Sequence, residues 1–265
     1  MKGPQRIVCL STETCEVLYR LGEQDRIVGI SGFTVHPPQA RKEKPKVSAF
    51  TSAKTEKILA LKPDLVLGYC DLQADIAAEL AREGLEVHLF NQRDIAGILR
   101  MIDTLGALVH AGDKAEALVA ELQAGMDQVQ QQAATLARRP KVYFEEWDGP
   151  LISGIRWVSE LIELAGGQDC FAELSHHPKA KQRYVTDPQE VVRRAPDIII
   201  GSWCGKRFRP EHLFDRPGWP GIPALRDEQL FEIKSPDILQ PGISALTIGL
   251  QQLHGLIRDW NQRPC

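Results

Sequence analysis

Two stretches of this 265-residue chain carry the same pattern. The first has Phe50, then Glu56, then Pro63-Asp64, an apolar Leu65-Val66-Leu67, and Gly68-Tyr69-Cys70. The second has Tyr184, then Glu190, then Pro196-Asp197, an apolar Ile198-Ile199-Ile200, and Gly201-Ser202-Trp203-Cys204. In both copies the glutamate lies six positions after the aromatic. A solenoid needs at least about three repeats. One pair predicts two similar lobes facing each other, with the aromatics and the Gly-aromatic-Cys ends directed at the space between them.

The surrounding periodicity supports lobes of α/β type. Ile7-Val8-Cys9-Leu10, Arg26 to Ile30, Leu65-Val66-Leu67 and Val87-His88-Leu89-Phe90 read as short buried strands. Helical patterns separate them: Val17, Leu18 and Leu21 before Gly22; Ile76 and Leu80 before Gly84; and Ile95 to Leu105. Gly32 to Pro45 reads as a polar loop, and Thr51 and Ser52 as caps of the helix carrying Glu56. Asp113 to Arg138 is rich in Ala, Gln, Leu and Glu and lacks Pro. It predicts one helix of some 25 residues, nearly 40 Å long, stiff enough to connect two halves. A second α/β set follows: Lys141 to Phe144, a helix through Trp157 and Leu161 ending at Gly166-Gly167, Ile198-Ile199-Ile200, Leu230 to Ile233, and a closing helix from Ile243 to Trp260. Asp187-Pro188-Gln189-Glu190 predicts a capping box. The expected architecture is α/β, two Rossmann-like lobes over residues 1–110 and 140–265, joined by a single long helix over 111–139.

Composition excludes several classes. A net charge of −3 gives no general attraction to nucleic acid or to an anionic membrane. No apolar run approaches the roughly 18 residues of a bilayer span. The start, Met1-Lys2-Gly3-Pro4-Gln5-Arg6, carries no apolar h-region, and no secretory signal is expected in it. The six cysteines (Cys9, Cys15, Cys70, Cys170, Cys204, Cys265) show no CxxC spacing, and Cys9 and Cys15 suit small buried apolar positions. No GxGxxG, P-loop, G-x-S-x-G or HExxH motif is present. Their absence counts against the commonest nucleotide-binding and hydrolase mechanisms.

Ligands of open α/β sheets sit beyond the carboxyl ends of the strands. In the first lobe those ends carry Tyr69 and the loops with His36 and Phe50; in the second they carry Trp147, Trp203 and the loop with Tyr184. Rigid aromatic faces at such ends suit a flat or bulky ligand. Lys206 and Arg207, in a basic run with Arg209, flank the second set and suit a phosphate or carboxylate. A second basic run, Lys179, Lys181 and Arg183, flanks it likewise, and both runs read also as solvated faces. Glu56 and Glu190 each sit early in a helix, where the macrodipole favours them, but capping alone does not account for their repetition. His176 and His177 with Glu145, Glu146 and Asp148 form a conceivable metal group whose spacing fits no ligand signature.

Arg6-Ile7-Val8-Cys9-Leu10-Ser11, His36-Pro37-Pro38-Gln39-Ala40 and the stretch Ile58 to Val66 closely resemble the class III substrate-binding proteins of ABC importers for siderophores, heme and cobalamin, and the His-Pro-Pro-Gln-Ala loop is nearer the cobalamin branch. The resemblance implies a monomeric, non-enzymatic, periplasmic receptor that holds cobalamin or another corrinoid as transported ligand in a cleft between the lobes. It places His36, Phe50, Tyr69 and Tyr184 at ligand-lining positions, with Trp147 and Trp203 in cleft-lining loops. It makes Glu56 and Glu190 the pair that docks on the membrane permease. A disulfide of that family's second lobe falls here on Ala165 and His254, and an arginine near the late cleft loop on Gln240. The competing expectations are an iron–siderophore or heme receptor using Lys206, Arg207 and Arg209, a chelatase-like enzyme using His176, His177 and Glu145, and a cytoplasmic corrinoid-handling protein.

Overall fold

The computed structural model describes residues 3–263, so Met1, Lys2, Pro264 and Cys265 lie outside the described residues. The chain divides into two compact units, Met1–Leu122 with Pro241–Ile243, and Gln123–Gln240 with Ser244–Cys265.

Unit 1 alternates strand and helix: β1 (Ile7–Cys9), α1 (Thr12–Arg20), β2 (Ile27–Ser31), α2 (Pro38–Glu43), β3 (Lys46–Ser48), α3 (Thr55–Ala60), β4 (Leu65–Tyr69), α4 (Ala74–Arg82), β5 (Val87–Phe90) and α5 (Ile95–Leu108). The five strands are parallel, in the order β3-β2-β1-β4-β5. β1 and β4 are buried throughout, as strands covered on both faces must be. Short elements escaped the sequence reading. The supposed polar loop contains α2, begun by Pro38 and anchored by buried Ala40, and β3 follows directly after it. Thr51 and Ser52 do not cap α3, which starts at Thr55; Ser52 instead gives its carbonyl to Ala49 N–H at 2.7 Å.

Helix α6 runs Gly112–Ala133. Ala115, Leu118, Leu122, Met126 and Val129 are its buried stripe, at spacings of three and four. It stops short of the expected Arg138. Its end tightens into a bond from Thr135 N–H to Gln132 O at 3.1 Å, and the Thr135 hydroxyl takes the same carbonyl at 2.7 Å.

Unit 2 contains β6 (Lys141–Asp148), β7 (Leu151–Ser153), α7 (Arg156–Leu164), β8 (Gln168–Asp169), α8 (Ala172–Ser175), α9 (Gln189–Arg194), β9 (Ile198–Gly201), α10 (Glu211–Phe214), α11 (Pro223–Arg226), β10 (Leu230–Glu232), α12 (Ser235–Ile238), a π-helical turn (Ala245–Gly249) and α13 (Leu250–Asn261). Its main sheet has the order β10-β9-β6-β7, parallel except for the antiparallel β6–β7 pair, and β8 also pairs with β6. Arg138, free of α6, lies over the Trp260 ring at 4.5 Å and donates to the carbonyls of Trp260, Asn261 and Arg263, closing the end of α13. Ala165 and His254 are in contact: His254 Nδ1 donates to the Ala165 carbonyl at 3.1 Å. A hydrogen bond joins the two places where the resemblance implies a disulfide.

The repeated motif has one physical role in both units. Lys62 and Ala195 adopt φ of 46° and 47°, ending α3 and α9 in left-handed turns, and the proline that follows blocks continuation. The next residue ties the strand to its neighbour. Asp64 Oδ2 and Oδ1 accept the N–H groups of Gln5 and Arg6 at 2.7 and 2.8 Å, and Asp64 N–H donates to Arg6 O at 2.9 Å. Asp197 Oδ2 accepts Lys141 N–H at 2.8 Å, and its own N–H returns to Lys141 O at 2.8 Å. Pro-Asp thus fixes β4 beside β1 and β9 beside β6.

The glycine at the other end of each strand is needed for space. A Cβ on Gly68 would lie 2.5 Å from Leu89 Cδ2 and 2.8 Å from Gln73 Oε1; on Gly201 it would lie 1.9 Å from the Phe208 ring. Phe208 is buried, so its ring has nowhere to retreat. Gly201→Ala is expected to destabilise unit 2 by about 1–3 kcal/mol. Gly125→Ala, on α6 with open space around the new methyl, is expected to stabilise by about 0.5–1 kcal/mol. Urea unfolding followed by circular dichroism reads both signs; a neutral Gly201→Ala contradicts the packing argument.

Candidate ligand-binding edges

Among the described residues of unit 1, three large apolar side chains are exposed, and each follows the carboxyl end of a parallel strand. Phe33 (56% exposed) follows β2, Phe50 (36%) follows β3 and Leu72 (58%) follows β4. They share one edge of the sheet. His36 is half-buried in the loop that also carries Phe33. The repeated motif marks Phe50 but neither Phe33 nor Leu72. A phenylalanine and a leucine in otherwise polar strand-end loops were the available signal.

Tyr69 is not an exposed face. It is 5% exposed, its hydroxyl donates to Gln92 O at 3.1 Å, and Arg93 lies 5.4 Å from its ring centre. Strand alternation turns it inward, so its expected ligand-lining surface is absent here. Its neighbourhood shapes the edge instead. The buried Gln73 amide donates to Leu10 O at 3.1 Å and Phe50 O at 2.9 Å and accepts Tyr69 N–H at 2.9 Å. Gln73 therefore joins the end of β1, the Phe50 loop and the end of β4, and bare Gly68 leaves room for it. Cys70 is buried at φ 57°, a left-handed turn, and burial pushes its thiol pKa up. Glu13, buried at the start of α1, is pushed up to about 7 by desolvation, against a hydrogen bond from Thr12 at 2.9 Å.

In unit 2 the carboxyl ends of β6, β9 and β10 share an edge. Glu145 on β6 is fully buried and organises it. Its carboxylate accepts two bonds from Arg216 at 2.6 and 2.9 Å, one from Trp203 Nε1 at 3.1 Å and one from the Tyr143 hydroxyl at 3.2 Å. A buried carboxylate requires such a set of partners. The expectation that Trp203 offers a free indole face is corrected: it is 3% exposed and packs edge-on against Phe208 at 5.0 Å. One surface remains, under Lys206. Lys206 Nζ lies 4.4 Å from the ring centre of half-buried Trp147 and 4.7 Å from that of Trp203, and forms an ion pair with Asp148. Trp147, Trp203 and Lys206 are thus brought together. Tyr184, half-buried, pairs with Ile152, which pairs with Trp147 on its other side.

Trp203, Lys206 and Arg207 line a pocket of about 520 Å³ with Gly205, Glu232, Ile233, Lys234, Ser235 and Pro236. Its second wall follows β10, a strand outside the repeated motif.

The conceivable metal group does not assemble. Glu145 is occupied by Arg216, and Glu146 is held by buried Arg183 at 2.6 and 3.2 Å. Among the described residues no group of three or more His, Cys, Asp or Glu is placed to hold a metal ion. This removes the carboxylate on which the chelatase-like reading relied. It also takes Arg183 out of the supposed solvated basic face.

The paired glutamates differ. Glu56 is exposed on α3 and has no ion-pair or hydrogen-bond partner among the described residues. Glu190 does not close a capping box: α9 begins at Gln189, whose N–H goes to Asp187 Oδ1 at 3.0 Å. Its carboxylate takes Arg194 Nε at 2.9 Å and Arg193 Nε at 2.7 Å, and these arginines hold its pKa below the usual range. The two cysteines of the repeat differ as well, Cys70 buried and Cys204 exposed.

The family profile described as "Periplasmic binding protein" matches residues 7–236. Among curated relatives, a vitamin B12-binding protein of Vibrio campbellii is 25% identical over 249 residues, 90% of this chain and 85% of that one. An uncharacterized ABC transporter substrate-binding lipoprotein of Bacillus subtilis, YvrC, is 24% identical over 261 residues, 95% of this chain and 79% of that one. Among solved structures, the periplasmic vitamin B12 binding protein BtuF of Vibrio cholerae superposes with a TM-score of 0.76 at 19% identity, covering 99% of this chain and 100% of that one. The periplasmic heme-binding protein RhuT from Roseiflexus superposes with a TM-score of 0.83 at 21% identity, covering 98% and 100%. With two α/β units, a strand-end edge in each, and a profile match over most of its length, this chain belongs to the periplasmic binding protein family.

Proposed function

We propose that this protein is a non-catalytic receptor for a corrinoid, cobalamin in the first instance, and that it serves as the substrate-binding component of an ABC importer at the outer face of the cytoplasmic membrane. The observation that carries the reading is the exposed trio Phe33, Phe50 and Leu72 on one sheet edge of unit 1. A soluble protein rarely gathers bare apolar side chains around one edge without a ligand or partner to cover them. A corrin is a broad disc with apolar faces and an amide rim, which such a surface suits. The naming of curated relatives as vitamin B12-binding proteins supports the choice of corrin. No helix among the described residues is long and apolar enough to cross a membrane.

In this reading Phe50, His36, Phe33 and Leu72 contact the ligand from unit 1, and Trp147, Tyr184, Lys206 and Arg207 from unit 2. Tyr69 and Trp203 support the two edges from beneath. The chain acts as a monomer of two lobes, over residues 1–110 and 140–265, with residues 111–139 between them. A heme or ferric siderophore is the second reading, favoured by Arg207 and Lys234, which have no hydrogen-bond or ion-pair partner among the described residues.

Calorimetric titration separates the ligands. Cobalamin is expected to bind. Phe50→Ala and Phe33→Ala are each expected to weaken it roughly ten- to hundredfold, the loss of an apolar side chain covered by ligand. Failure of every corrinoid to bind, with heme or a ferric siderophore binding instead, sinks the corrinoid reading.

Glu56 and Glu190 are proposed to dock the two units on cationic groups of the permease. Glu56 is unpaired, whereas Glu190 must exchange Arg193 and Arg194 for its partner. Reconstituted uptake is expected to fall more for Glu56→Lys than for Glu190→Lys. Undiminished uptake with both changed contradicts the docking role.

A further inference from the structure

The pocket in unit 2 lies where β9 and β10, parallel neighbours, end at Gly201 and Glu232. Its volume of about 520 Å³ is in the ordinary range of small-molecule sites. Its floor contains buried Trp203 and Ile233, and its rim carries Lys206, Arg207 and Lys234 against one carboxylate, Glu232.

These charges are not equivalent. Lys206 is already neutralised by Asp148 and stabilised over two indoles. Glu232 has one oxygen committed to Phe208 N–H at 3.0 Å. Arg207 and Lys234 are exposed and have no partner among the described residues. They arrive from different loops, one after β9 and one after β10. Two unpaired cations converging on one concave, aromatic-floored site leave it net positive. A cleft wall of low polarizability strengthens the attraction of such cations for an anion over that of the same groups on a flat surface.

We propose that this pocket takes an anionic group of the ligand, a phosphodiester or a carboxylate, held by Arg207 and Lys234. The inference rests on the ligand-binding reading above and makes it more specific. The protein selects corrinoids that carry the nucleotide phosphodiester over those that present only neutral amides. Arg207 offers a planar fork that matches two anionic oxygens, and Lys234 a point charge beside it.

The test is equilibrium titration of the wild type and of the Arg207→Gln/Lys234→Gln double variant, both positions being exposed, with cyanocobalamin and with dicyanocobinamide, which lacks the phosphodiester and its base. The wild type is expected to bind cyanocobalamin about tenfold more tightly, the weight of one charge-assisted hydrogen bond. The double variant is expected to lose that preference, its cyanocobalamin affinity falling to the level of its dicyanocobinamide affinity. Equal affinities in the wild type, or a preference kept by the double variant, overturns the proposal. If neither corrinoid binds, the corrinoid reading fails, and the pocket is tested independently with hemin and hemin dimethyl ester. A preference for the free acid that the double variant loses upholds the anion site; no preference, or no binding, overturns it.

Discussion

Both units depend on an aspartate that fixes a strand to its neighbour through backbone N–H groups. Asp64 holds β4 beside β1, and Asp197 holds β9 beside β6. A parallel pair has no hairpin to set its register, so the start of each strand must be specified otherwise. A charged acceptor on the first backbone donors of the adjacent strand does this, at a net value on the order of 1 kcal/mol per bond for exposed groups. Once both strands begin in register, they also end in register. The loops after the strand ends carry exposed Phe33, Phe50 and Leu72 in unit 1 and exposed Lys206, Arg207 and Lys234 in unit 2.

From that common frame the two edges diverge. In unit 1 the small Gly68 admits the Gln73 amide, a polar tie that anchors the Phe50 loop and leaves Phe33, Phe50 and Leu72 exposed. In unit 2 the small Gly201 admits the Phe208 ring, and the edge becomes a stack of aromatics under cations, organised by buried Glu145. The same motif thus supports an apolar edge and a cationic one.

Much of this was legible from particular residues. The Pro-Asp repeat marked two matching strands because its periodicity and its helix-stopping proline are local signals. The long α6 was legible from an Ala, Gln and Leu run, yet its end was overestimated by some residues, because Arg138 leaves the helix to close α13, a tertiary contact that composition does not reveal. β3 and β7, of three residues each, were too short to show a period. Placement at a strand end did not reveal direction: Tyr69 and Trp203 point inward and serve the core, while Phe33 and Leu72 point outward. The partner of Glu145 is Arg216, 71 residues further along the chain, and no local pattern reveals a contact at that separation.

The central claim is that the carboxyl edges of the two sheets, rather than the outer helices, carry the ligand. Hydrogen–deuterium exchange with and without cobalamin tests it most directly. The account predicts new protection in the loops after β2, β3 and β4, around Phe33, Phe50 and Leu72, and in the loops after β6, β9 and β10, around Trp147, Arg207 and Lys234. Exchange in α4 and α13 should be unchanged. Protection confined to those helices, or absent from the strand-end loops despite saturating ligand, would contradict it.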